Sequence, residues 1–77
     1  MTKYVLCRSR DDGNDTPLFF DTKEEARKRM QEESGEFYLR WSDKNDYIDK
    51  GEDYCLIRNL ERDVCYLAMW DIYKMEL

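Results

Sequence analysis

Three runs in this sequence, Tyr4 to Cys7, Tyr54 to Ile57 and Val64 to Trp70, are apolar at consecutive positions and rich in β-branched and aromatic residues. Side chains alternate across a β-strand, so such runs present apolar groups to both sides of a sheet. An antiparallel sheet with one wet face alternates apolar with polar instead. The chain must therefore shield two sides of a β-layer.

It has little to shield them with. The clearest helix signal is Asp21-Thr22-Lys23-Glu24-Glu25, where Asp21 with Glu24 or Thr22 with Glu25 forms a capping box that satisfies the first free amides. The residues that follow are good helix formers, and Ser34-Gly35 supplies a left-handed stop, which predicts a helix to about Glu33. Glu24 with Lys28 and Glu25 with Arg29 are i,i+4 pairs. Only Ala26 and Met30 are apolar at helical spacing, so this helix covers one face narrowly. The other face is left for the loop around Tyr47-Ile48, the C-terminal segment, a second copy of the chain or a different partner.

The remaining elements follow from period and turn chemistry. Lys3 to Ser9 reads as a strand ended by the turn Asp11 to Asp15, and Leu18-Phe19-Phe20 pairs back on it as a hairpin. Glu36 to Trp41 alternates, with Phe37, Leu39 and Trp41 on one side, as a half-buried strand does. Ser42 to Asp53 is polar enough for a mobile loop, pinned at its middle by Tyr47-Ile48. Tyr54 to Arg58 and Val64 to Trp70 form a hairpin around a turn at Asn59 to Asp63. Asp71 to Leu77 follows no single clean period and either extends the sheet or folds as a terminal turn of helix. The expected fold class is α+β, a single antiparallel β-sheet of four to five strands with one α-helix packed on one face, in the order β-β-α-β-β-β. Residues 1–77 form a single domain, since 77 residues support one marginal core.

Several function classes are excluded or disfavoured. No histidine is present, which removes Ser-His-Asp and Cys-His triads, histidine-ligated metals and imidazole proton transfer. Nothing marks out one carboxylate pair for acid-base work, so the expectation is that the chain is not an enzyme and has no catalytic, metal or cofactor site. Asp11 to Asp15 and Asp43 to Asp46 crowd oxygen ligands, but a calcium loop begun at Asp43 would need glycine and glutamate where Ile48 and Tyr54 stand. These are turn residues. Gly13, Gly35 and Gly51 are isolated from one another, so no phosphate-binding loop exists. Arg27-Lys28-Arg29 reads as a solvated, salt-bridged helix face. Tyr38, Arg40, Tyr54, Arg58 and Tyr66 suggest a stacking platform for single strands, but the ribonucleoprotein signature is absent and the net charge of −5 opposes it. Cys7, Cys55 and Cys65 lie in apolar runs with no Cys-x-x-Cys pair, as buried free thiols of a reducing compartment do. No apolar run reaches the ~18 residues of a membrane span and the N-terminus lacks the apolar length of a signal peptide, so a cytoplasmic location is expected.

The acidic balance favours a protein partner with a basic surface, with no direct nucleic-acid binding and no membrane association. Asp43, Asp46, Asp49, Glu52 and Asp53 crowd one segment against only Lys44 and Lys50, and an array of carboxylates imitates a phosphate track. These acids are the candidate charged rim, and Trp41, Tyr47, Trp70 and Tyr73 the candidate aromatic anchors. In size, acidity and aromatic content the chain resembles in style, though in no motif, small phage-encoded inhibitors such as anti-CRISPR proteins. That resemblance implies an inhibitor that blocks a basic nucleic-acid-binding surface of a host protein complex. Two alternatives are a dimeric protein that sequesters a small molecule or nucleotide between its copies, and a regulatory scaffold domain.

Overall fold

The computed structural model describes residues 1–10, 13–41, 46–59 and 67–76. In chain order the elements are β1 (Thr2–Arg10), β2 (Gly13–Asn14), β3 (Leu18–Phe20), α1 (Lys23–Trp41), β4 (Asp46–Lys50), β5 (Tyr54–Asn59) and β6 (Ala68–Glu76). All pairings are antiparallel and the strands form one sheet of six, ordered β2-β1-β6-β5-β4, with β3 also paired to β1. The α+β class with one helix on a single antiparallel sheet is the one expected; the sheet has six strands rather than four to five, the short β2 adding a third strand before the helix.

The first and last strands lie side by side in the middle of the sheet, paired from Thr2↔Glu76 to Arg10↔Ala68. The segment after Trp70 therefore extends the sheet. Its burial alternates with period two from Ala68 to Tyr73: Ala68, Trp70 and Ile72 are buried while Met69, Asp71 and Tyr73 are less so. The expected hairpin of the last two long strands is present as β5 and β6, joined at Ile57↔Ala68, while 60–66 lie outside the described residues. The turn at 11–12 and Cys65 also fall outside them. Leu18–Phe20 pairs with β1 as expected, with Leu6 opposite Leu18 and Tyr4 opposite Phe20.

Of the two candidate capping boxes, Thr22 with Glu25 starts the helix. The Glu25 amide donates to Thr22 Oγ1 at 3.2 Å, and the Thr22 hydroxyl donates to Glu25 Oε1 at 3.0 Å. That contact occupies Glu25, and Arg29 instead pairs one turn onward with Glu33 at 2.8 Å. The helix does not stop at Ser34-Gly35. It continues to Trp41, so the expected strand at Glu36 to Trp41 is corrected to helix. Glycine inside a helix costs about 1 kcal/mol relative to alanine. Tertiary contacts beyond it outweigh that cost: Phe37 meets Trp70 edge to face at 5.9 Å, and the Tyr38 hydroxyl donates to the Asp46 carbonyl at 3.1 Å. Ala26, Met30, Ser34, Phe37 and Tyr38 form one helical stripe, whereas Leu39 points away, 88% exposed.

The expected loop from Ser42 to Asp53 is also corrected, because β4 occupies Asp46–Lys50 as an edge strand on β5. Residues 42–45 lie outside the described set. Tyr47 and Ile48 are exposed and do not pin the segment to the body. Charged residues are common on edge strands, where they discourage further pairing, and this made the segment look like loop.

The core lies between α1 and one face of the sheet. Leu6, Cys55, Ile57, Ala68, Trp70 and Ile72 meet Ala26 and Met30 there. Arg8 fastens the two layers through Glu33, which also accepts from Arg29 and from the Trp70 indole.

Candidate functional site

Register and alternation assign the opposite face without ambiguity. If Leu6, Ile57 and Trp70 face the helix, then Val5 and Cys7 of β1, Phe19 of β3, Tyr47 and Asp49 of β4, Tyr54, Leu56 and Arg58 of β5, and Met69, Asp71, Tyr73 and Met75 of β6 face away. Val5 fits this assignment, being buried yet outside the core cluster, with Phe19 and Tyr73 as its cross-strand neighbours. Of the eight large apolar side chains exposed among the described residues, five (Phe19, Tyr47, Tyr54, Tyr73 and Met75) stand on this face. Phe19 and Tyr73 are 58% and 56% exposed. No described element packs over them.

The charges on this face are few. Lys3 pairs with Asp21, and Arg58 Nε lies 4.0 Å from Asp49 Oδ2. The Tyr54 hydroxyl also donates to Asp49, at 3.4 Å. Asp71 is half-buried, and among the described residues it has neither hydrogen bond nor ion pair. Burial raises its carboxyl above the ordinary value. The charge on Asp71, with a smaller contribution from burial, in turn pushes up the Tyr73 phenol, which places the two groups within each other's field.

The expected rim and anchor residues separate. Tyr47, Asp49 and Tyr73 lie on the open face. Asp46 is buried on the helix side and accepts from the Asn59 amide. Asp53 accepts from Arg27 Nε at 3.1 Å and Nη2 at 3.0 Å and pairs with Lys23, contacts that outweigh the opposing effect of burial and hold its carboxyl below the ordinary value. Glu52 pairs with the same Arg27 at 3.4 Å. Glu52 and Asp53 thus answer Lys23 and Arg27 of α1, and the described acids of this segment do not form one free track. Trp70 is 5% exposed and belongs to the core. Asp43 and the Trp41 side chain lie outside the described residues.

Phe19, Met75 and Asp71 are members of the face that sequence reasoning missed, whereas the sequence singles out Tyr54 and Arg58 only as part of a stacking platform. Burial alternates only from Ala68 to Tyr73, and because Met69, Tyr73 and Met75 are apolar on the same side as Asp71 the sequence carries no clean period that marks these residues.

Elsewhere, a cleft of about 190 Å³ opens beside Arg8, Arg10, Glu36, Phe37, Arg40 and Trp70, but its charges pair among themselves, Arg10 with Asp15 at 2.9 Å and Arg40 with Glu36 at 3.3 Å. Cys55 is buried, which pushes its thiol up despite a bond to Ser34, and Cys7 is half-buried on the open face. Among the described residues no three acidic or thiol side chains gather as metal ligands. Among the described residues no helix is long and apolar enough to cross a membrane. The chain matches no protein-family profile, and comparison with curated proteins and with solved structures gives no match.

Proposed function

We propose that this chain is a non-enzymatic protein-interaction module that docks the open face of its sheet on a protein partner with a basic surface. The observation that carries this reading is the gathering of Phe19, Tyr47, Tyr54, Tyr73 and Met75, all exposed, on one side of the sheet. Rigid aromatic rings bring large contact area at small entropic cost, and a patch of them on a small domain marks a binding surface. The net charge of −5 steers a cationic partner toward the molecule as a whole. Support for a phosphate-imitating loop weakens, since Asp46, Glu52 and Asp53 are engaged internally. In the inhibitor form of the reading, the face covers a basic nucleic-acid-binding surface of its target.

The test is a triple substitution, Tyr47→Ser, Tyr54→Ser and Tyr73→Ser, compared with Leu39→Ser on the exposed side of the helix. A partner captured by the wild-type chain and by the Leu39 variant, and lost by the folded triple variant, is the expected result. Equal capture by all three overturns the reading.

A further inference from the structure

Asp71 occupies the rung between Cys7 on β1 and Tyr54 on β5, with Met69 and Tyr73 flanking it along β6. None of these is cationic. The diagonal neighbours Val5, Ser9 and Leu56 are uncharged as well, and among the described residues the two cations of the face lie beside other acids, Lys3 paired with Asp21 and Arg58 Nε 4.0 Å from Asp49 without a hydrogen bond. A carboxylate taken partly out of water with no counter-charge destabilises the fold that carries it. An incoming cation would remove that cost on binding.

From this arrangement we infer that the open face receives an arginine side chain of its protein partner, seated on Asp71 and lying against the Tyr73 ring. The inference rests on the reading of this face as a protein interface. Arginine suits the position better than lysine for three reasons. Its planar group donates two parallel bonds to one carboxylate, it stacks on aromatic rings, and it sheds water more readily. A second copy of the chain suits it poorly, because that copy brings another Asp71 and a like net charge of −5.

The probe is a capped hexa-arginine peptide titrated into the isotopically labelled full chain near physiological ionic strength, with a hexalysine peptide as comparison. Amide shifts should centre on Asp71 and Tyr73. Asp71→Asn should weaken hexa-arginine binding by about tenfold or more, the size of a lost charge-assisted pair. Asp49→Asn, on the same face, should change it by less than about threefold, as one exposed charge does. The Asp71 variant should unfold at an equal or higher urea concentration than the wild type. Equal weakening by both substitutions overturns the inference, because it reports only general attraction to an acidic chain. So does a lower unfolding midpoint for the Asp71 variant, which reveals an internal partner. If the Asp71 variant still captures the partner that the triple tyrosine variant loses, the arginine seat is wrong and the interface reading stands. Should neither variant affect capture, both are wrong. A sedimentation mass of two chains that falls to one in the triple variant assigns the face to a second copy and overturns the foreign arginine.

Discussion

Val5 and Leu6 are neighbours in β1, and they point to opposite sides of the same sheet. Leu6 is sealed beneath α1, where Glu33 takes bonds from Arg8, Arg29 and the Trp70 indole at the boundary of the core, although Arg8 Nε itself stays buried without a hydrogen bond among the described residues. Val5 is nearly as buried, but by Phe19 and Tyr73, rings that are themselves more than half exposed. On that side Asp71 goes unanswered among the described residues. One face is finished by the chain itself, and the other is arranged like half of a core. Folding stability therefore comes mainly from the covered face.

The largest expected effect separates the two sides directly. Leu6→Ala should cost about 3 kcal/mol in urea unfolding, as truncation of a fully buried leucine does, and Val5→Ala about 1.5 kcal/mol. Equal costs would break the comparison, since they would require both sides to be packed alike.

Next comes Glu33→Gln, which should cost about 2 kcal/mol by leaving the Arg8 guanidinium partly buried beside a neutral partner. Burial tends to raise the Glu33 carboxyl, but bonds from Arg29 and Trp70 and the charge of Arg8 win and hold it below its ordinary 4.5. A carboxyl lowered in the folded state stabilises above its unfolded pKa, and the contribution disappears as pH falls through the folded one. The gap between wild type and variant should therefore be full near neutrality and close well below pH 4.5. A gap independent of pH would detach Glu33 from the clamp between helix and sheet.

The smallest effect sharpens the extent of the cover. A Cβ on Gly35 meets nothing within 4 Å, so Gly35→Ala should stabilise the protein by about 0.5 to 1 kcal/mol if the helix runs through it. A loss of stability, measured by the same urea titration, would mean a left-handed stop at Gly35 and a roof that ends a turn and a half short of Trp41.

Much of the fold was legible where a local signal stood alone. Thr22 with Glu25 announces the start of α1, and the runs at Tyr4 to Cys7 and Tyr54 to Ile57 announce β1 and β5. The errors share a cause. Phe37, Leu39 and Trp41 satisfy an alternating pattern while Phe37 with Trp41 alone also fits helical spacing, and only the contact of Phe37 with Trp70 decides between them. Asp46 to Lys50 has the composition of a loop, and its pairing with β5 is visible only in the sheet. The acids expected at an open rim were legible as acids, but Lys23 and Arg27 lie more than twenty residues away from Asp53 in sequence and reach it only across the folded layers.

The strands β1, β3 and β5, the start of the helix and the surplus of apolar side chains over what one helix covers were decided by the sequence, because periodicity, capping and composition act over a few residues. Which surplus side chains stand uncovered by the described residues was decided by tertiary structure. Pairing the two ends of the chain at the centre of the sheet places Val5, Asp71 and Tyr73 on the face away from the helix, and a register is a property of two strands together, carried by neither alone.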